Sequence, residues 1–152
     1  MNQVLFLCTG NYYRSRFAEF YFRHLASRTG LHWSADSRGL ALDPWNPGPM
    51  STYTEQACRR LGISVEPVRL PRPLEESDLS SSQLVIAVKE AEHRPLMRRK
   101  FPHWEDRVEY WQVHDLDFAS PDEALPQLQQ LVELLVNRLR QTRPDASAEP
   151  CV

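Results

Sequence analysis

Apolar residues gather in two short unbroken runs, residues 4–7 (Val4, Leu5, Phe6, Leu7) and residues 84–88 (Leu84, Val85, Ile86, Ala87, Val88). Neither run alternates with polar positions. Strands covered on both faces look like this, so both belong in the middle of a parallel sheet. Residues 32–37 and 107–113 are weaker strand signals, the latter through Val108, Tyr110 and Trp111. Helical spacing appears between them. Residues 16–27 put Phe17, Tyr21 and Leu25 on one stripe, with Gly30 as a stop just beyond. A second helix is expected from Thr52, which has capping-box spacing to Glu55, through Ala57 and Leu61 to Gly62. Residues 91–100 predict a third helix, ending in the basic cluster Arg98, Arg99 and Lys100. The clearest is the last, at 121–140, where Leu125, Leu128, Val132, Leu135 and Leu139 recur at helical intervals.

Strands that alternate with helices imply an α/β domain with a mainly parallel sheet and right-handed crossovers. Residues 1–141 are expected to form that single domain, and residues 142–152 a disordered polar tail with little to dock it. Two proline-rich stretches, 43–49 and 67–73, read as surface loops.

The chain has 152 residues and a formal net charge of −2, which gives no whole-molecule argument for a nucleic-acid or membrane partner. No apolar run approaches a transmembrane span, and residues 4–7 are too short for a signal peptide. Cys8, Cys58 and Cys151 are an odd count without paired spacing, so a disulfide framework is not expected and a reducing cytoplasm is. The five histidines, His24, His32, His93, His103 and His114, show no metal-ligand spacing, so no metal is expected.

The chemistry concentrates where the first strand ends. Cys8 is followed by Thr9, Gly10, Asn11, Tyr12, Tyr13, Arg14 and Ser15, and a helix then begins. In an open α/β sheet, ligands bind beyond the carboxyl ends of the strands. A helix start adds unpaired N–H groups and its positive dipole end, and successive loop amides can form an anion-holding nest. The segment from Thr9 to Ser15 is therefore a phosphate-binding candidate. Thiolate is the nucleophilic form of cysteine, favoured beside a helix N-terminus and a cation. Gly10 and Asn11 are residue types that accept positive φ. Arg14 can fold back and grip two phosphate oxygens with its planar fork. Ser15 can donate its hydroxyl to the sulfur. Singly, each residue has a bland reading as core cysteine or turn residue; together they point to one site.

This string, with five residues between Cys8 and Arg14 and then Ser15, resembles the low-molecular-weight protein tyrosine phosphatase family. The pair Asp36 and Ser37 resembles the family's Asp-Ser pair, which implies that Ser37 braces Asn11. Arg60, Leu61, Gly62 and Ile63, and the strand at Leu84, also fall in family order. The resemblance implies a three-layer domain on a four-stranded parallel sheet. It also implies a cofactor-free, two-step hydrolysis of a phosphomonoester through a cysteinyl-phosphate, on a phosphorylated protein or a small aryl phosphate.

In the family that the chain resembles, the general acid comes from an Asp-Pro pair after the last strand. Asp115 aligns with the family Asp, but Leu116 replaces the proline, and Asp117 is a second candidate. Tyr13 stands where many relatives have a second loop cysteine, and Lys89 and Glu90 stand where they commonly have Met-Asp. Tyr12, Trp45 and Phe118 are candidate pocket walls for a phosphorylated ring. Two alternatives remain at this point: a thiol-coupled arsenate reductase using Cys58 or Cys151, and a phosphate-binding module without turnover.

Overall fold

In a computed structural model, residues 1–116 and 118–142 are described. Four strands, β1 (Asn2–Cys8), β2 (Trp33–Gly39), β3 (Leu84–Ala87) and β4 (Glu109–Tyr110), form one sheet in the order β2-β1-β3-β4. Every neighbouring pair is parallel, with Val4 opposite Ala35 on one side and Leu84 on the other. The two unbroken apolar runs thus hold the two central positions.

Each face of β1 meets its own core. Val4 and Phe6 pack with Phe17, Phe20 and Phe22 of α1 (Arg14–Thr29) and with Leu128 and Val132 of α5 (Pro121–Gln141). Leu5 and Leu7 face Leu79 of α3 (Glu76–Ser80), Met97 of α4 (Glu90–Lys100), and Val108. Helix α2 (Thr52–Arg60) brings Ala57 and Cys58 to the first core. Helix α1 stops at Gly30, whose left-handed φ of 70° lets its N–H close on Ala26 O. Helix α5 opens with a capping box between Ser120 and Glu123. Among the described residues, no helix is long and apolar enough to cross a membrane.

Several expected boundaries move. The cap of α2 is Ser51, whose hydroxyl accepts from Tyr53 N, and not Thr52. A cap needs extended backbone, and Ser51 has it with ψ 141°, whereas Thr52 is already helical. The strand expected over 107–113 shrinks to two residues at the sheet edge; at its start Arg107 belongs to a 3₁₀ turn over residues 102–107 begun by Pro102. Beyond β4 the chain still tracks β3 through Trp111 N to Ala87 O and Val113 N to Val88 O. Helix α3 had no apolar periodicity to announce it. The expected tail lies outside the described residues from residue 143 onward, as does Cys151.

Gly39 ends β2 directly behind the Cys8 loop. A β-carbon there would lie 2.9 Å from Thr9 O, 3.1 Å from the Asn11 β-carbon and 2.5 Å from a Leu42 methyl. Gly39→Ala should therefore push the loop out of place and cost about 1–3 kcal/mol as an overpacking change, measurable by urea unfolding. An unchanged midpoint would mean that β2 does not confine the loop.

Candidate active site

The loop from Cys8 to Ser15 turns back on itself at Asn11, which has a left-handed φ of 52°. Asparagine tolerates that conformation, and here its amide is fully used. Asn11 Nδ2 donates to Ser15 Oγ at 3.0 Å and to Ser37 Oγ at 2.8 Å. Asn11 Oδ1 accepts from Arg69 Nη1 and from Arg72 N, each at 3.0 Å. Loop carbonyls face outward: Cys8 O and Thr9 O accept from Leu40 N and Ala41 N, Tyr12 O from Ser51 N, and Tyr13 O from Thr54 Oγ1. No described acceptor pairs with the N–H groups of residues 9–13, and the N-cap Tyr13 makes no side-chain cap bond. A ring of donors is left for an anion.

Cys8 Sγ lies 2.9 Å from Ser15 Oγ, whose oxygen accepts from Asn11; the Ser15 proton is free to serve the sulfur. Arg14 is 2% exposed and donates through Nη1 to Val113 O and through Nη2 to Glu92 Oε2, both at 2.9 Å. Its Nε is buried and has no hydrogen-bond partner among the described residues. Burial opposes the charge of Arg14, but the Cys8 sulfur, Glu92 and Asp115 outweigh it and hold the pKa above the ordinary guanidinium value. Asp115 Oδ2 stands 3.4 Å from Arg14 Nη2, while Oδ1 accepts from Leu116 N at 2.9 Å.

Cys8, Thr9, Gly10, Tyr12, Tyr13, Arg14 and Asp115 line one cavity of about 250 Å³, together with Ala41, Asp43, Asn46, Ser51 and Leu116. Of the three proposed walls, only Tyr12 lines it, its hydroxyl donating to Pro47 O at 2.6 Å. Trp45 and Phe118 do not: both are exposed, and Phe118 instead sits under Lys89 Nζ at 4.0 Å and beside His114. Asp43 and Asn46 line the cavity instead. Tyr13 is buried, and burial first, then Asp115, push its hydroxyl pKa up to about 12. Asp117 lies outside the described residues. Cys58 is fully buried and burial pushes its thiol up to about 12, the opposite of what a disulfide relay needs. Among the described residues, no group of three or more His, Cys, Asp or Glu side chains is gathered for a metal ion.

Two supports escaped the sequence reading. Arg69, from a proline-rich stretch read as surface loop, reaches Asn11, Asp36, Ser37 and Glu19, with Glu19 itself paired to buried Arg16. Glu92 and His93 reach the loop from α4. No local spacing announces either contact; the shared carboxyl end of β1 and β3 is the one signal that α4 begins beside the loop.

The family described as "Low molecular weight phosphotyrosine protein phosphatase" matches residues 3–142. A curated relative, the low molecular weight protein-tyrosine-phosphatase YfkJ of Bacillus subtilis, is 34% identical over 129 residues, covering 80% of each chain. Another, a protein-arginine-phosphatase of the same organism, is 30% identical over 105 residues, covering 69% of this chain and 67% of the relative. The crystal structure of YfkJ superimposes with a TM-score of 0.82 at 28% identity, covering 94% of this chain and 97% of that one.

His93 yields a pH prediction. It is fully buried and faces Glu92, Arg14 and Asp115; burial, and then Arg14, hold its pKa below the ordinary imidazole value against the pull of Glu92. The unfolded chain therefore takes up this proton first, so stability falls as pH drops through about 6.5. Urea unfolding at pH 7.5 and pH 5.5 should show this loss, and His93→Asn should reduce it; an equal loss in the variant would remove His93 from the effect.

Proposed function

The chain belongs to the low molecular weight phosphotyrosine protein phosphatase family, and on that premise we propose that Cys8, Arg14 and Asp115 carry the two-step hydrolysis of phosphotyrosine in proteins. The observation that supports this most is the buried, unpartnered Arg14 Nε beside a loop whose amides lack described acceptors. A buried guanidinium donor left unpaired is costly, and a phosphate oxygen would satisfy it.

In the first step Cys8 sulfur attacks phosphorus in line with the tyrosyl oxygen. The P–O bond breaks, and Asp115 gives its proton to the departing oxygen. Arg14 and the loop amides hold the three equatorial oxygens, where transition-state charge gathers. In the second step Asp115 takes a proton from water, whose oxygen attacks phosphorus. The S–P bond breaks, inorganic phosphate leaves, and the Ser15 hydroxyl receives the thiolate. Leu116 gives the acid loop no proline stiffness; Phe118 N and Ala119 N donating to Asp115 O, and the Lys89 contact on Phe118, supply other restraint.

A second substrate has its own support. Asp43 and Asp115 put two carboxylates on the cavity, a lining suited to the cationic leaving group of a phosphoarginine, and one relative is named a protein-arginine-phosphatase. Matched peptides carrying phosphotyrosine or phosphoarginine separate the two. The tyrosine reading expects the higher kcat/KM on the first.

For the mechanism, Cys8→Ser should abolish turnover of p-nitrophenyl phosphate while inorganic phosphate still binds. Asp115→Asn should slow alkyl and unactivated phenyl phosphates by 10²–10⁴-fold, the usual range for a general acid, and p-nitrophenyl phosphate far less. Equal slowing of all leaving groups would take Asp115 out of the acid role.

A further inference from the structure

Glu92 is the one acidic side chain that α4 sends to the Cys8 loop, and three groups converge on a single oxygen of it. Oε2 accepts from Arg14 Nη2 at 2.9 Å and from the Thr9 hydroxyl, and lies 3.3 Å from His93 Nε2. The direction of the remaining protons follows. His93 Nδ1 accepts from Lys89 N at 3.1 Å, which puts the ring proton on Nε2, facing Thr9 Oγ1 at 3.1 Å. The order of donation is then Lys89 N to His93, His93 to Thr9, and Thr9 to Glu92. Burial would raise the Glu92 carboxyl, but the nearby His93 ring N–H and the bonds from Arg14 and Thr9 outweigh it and keep it ionised far below the usual carboxylate range.

A guanidinium has five donors in one plane. Val113 O takes one from Nη1, and Glu92 takes one from Nη2. Those two acceptors, with Asp115 Oδ2 3.4 Å from Nη2, hold the plate by its terminal nitrogens, and Nε is the one nitrogen of the plate without a described partner. We propose that Glu92 is a positioning residue for phosphate: with Val113 O it fixes the Arg14 plane so that the Nε edge faces the loop, and through Thr9 it ties the first turn of α4 to that loop. It touches no reacting atom and acts through Arg14. This rests on the reading of Arg14 as the phosphate clamp.

The arrangement also explains why a carboxylate can stand beside an anion site. Glu92 is committed to Arg14 and Thr9, so its charge lies against the guanidinium. Its carboxylate draws Arg14 into place at the cost of part of that cation's pull on phosphate.

Two variants of the full chain test this, Glu92→Ala and Glu92→Gln, with inorganic phosphate as probe in equilibrium calorimetry, alongside kcat/KM on p-nitrophenyl phosphate and the melting midpoint without ligand. Glu92→Ala is expected to weaken phosphate binding and lower kcat/KM together by about 10- to 100-fold, the scale of a lost hydrogen bond to a charged group. Glu92→Gln keeps an acceptor for Arg14 and Thr9, and should recover most of both. Phosphate affinity within twofold of wild type in Glu92→Ala would overturn the proposal. So would losses in Glu92→Gln as deep as in Glu92→Ala, or losses that merely follow the melting midpoint. Phosphate binding does not need turnover, so failure of the hydrolytic reading, an inactive wild type, is a separate result from failure of this one.

Discussion

The site depends on the side-chain amide of Asn11. That residue sits in a left-handed turn, and a loop held that way needs something to repay the conformational cost. Two donors go to Ser15 and Ser37, and two lone pairs take Arg69 and the Arg72 amide, so no bonding capacity of the amide is left over. The same bonds do a second task. By donating to Ser15, Asn11 frees the Ser15 proton for the Cys8 sulfur, so the geometry of the turn and the environment of that sulfur are set together.

Behind that amide stands a layer of charge, buried at Arg16 and Glu19 and half-buried at Arg69 and Asp36. Ser37 donates to Glu19, which pairs with Arg16 and lies near Arg69, and Arg69 continues to Asp36. Buried ion pairs add little net stability compared with apolar packing, but breaking one is expensive. Such a layer resists partial rearrangement, which suits a loop whose amides must already point at an anion before it arrives. The front of the site is built differently. Arg14 is held between Val113 O and Glu92, and Asp115, proposed above as the acid, stands on an exposed loop beside it.

How far the sequence spoke depended on whether a contact was local. The apolar runs ending at Leu7 and Val88 announced the two central strands, and the Leu125–Leu139 stripe announced α5, because each is a repeat within one element. The segment from Cys8 to Ser15 stood out as one loop between β1 and α1, since its residues are neighbours in the chain. Strand β4 was misread in length because an edge strand lacks the second neighbour that would demand an unbroken apolar run. The Trp45 and Phe118 walls failed for a related reason: an aromatic in a loop does not say which way it faces, and Lys89 claims Phe118. Arg69, Glu92 and His93 reach the loop from distant parts of the chain, through contacts that exist only once the sheet is assembled.

The central claim is that Cys8 and Arg14 converge on one phosphoryl group. Rapid acid quench of turnover, followed by mass spectrometry of the digested chain, tests it most directly. The account predicts a phosphoryl adduct on the Cys8 peptide that forms with release of the leaving group and decays with release of inorganic phosphate. Undiminished turnover with phosphate carried on another residue, or with no adduct at any time even when Asp115→Asn slows the second step, would contradict it.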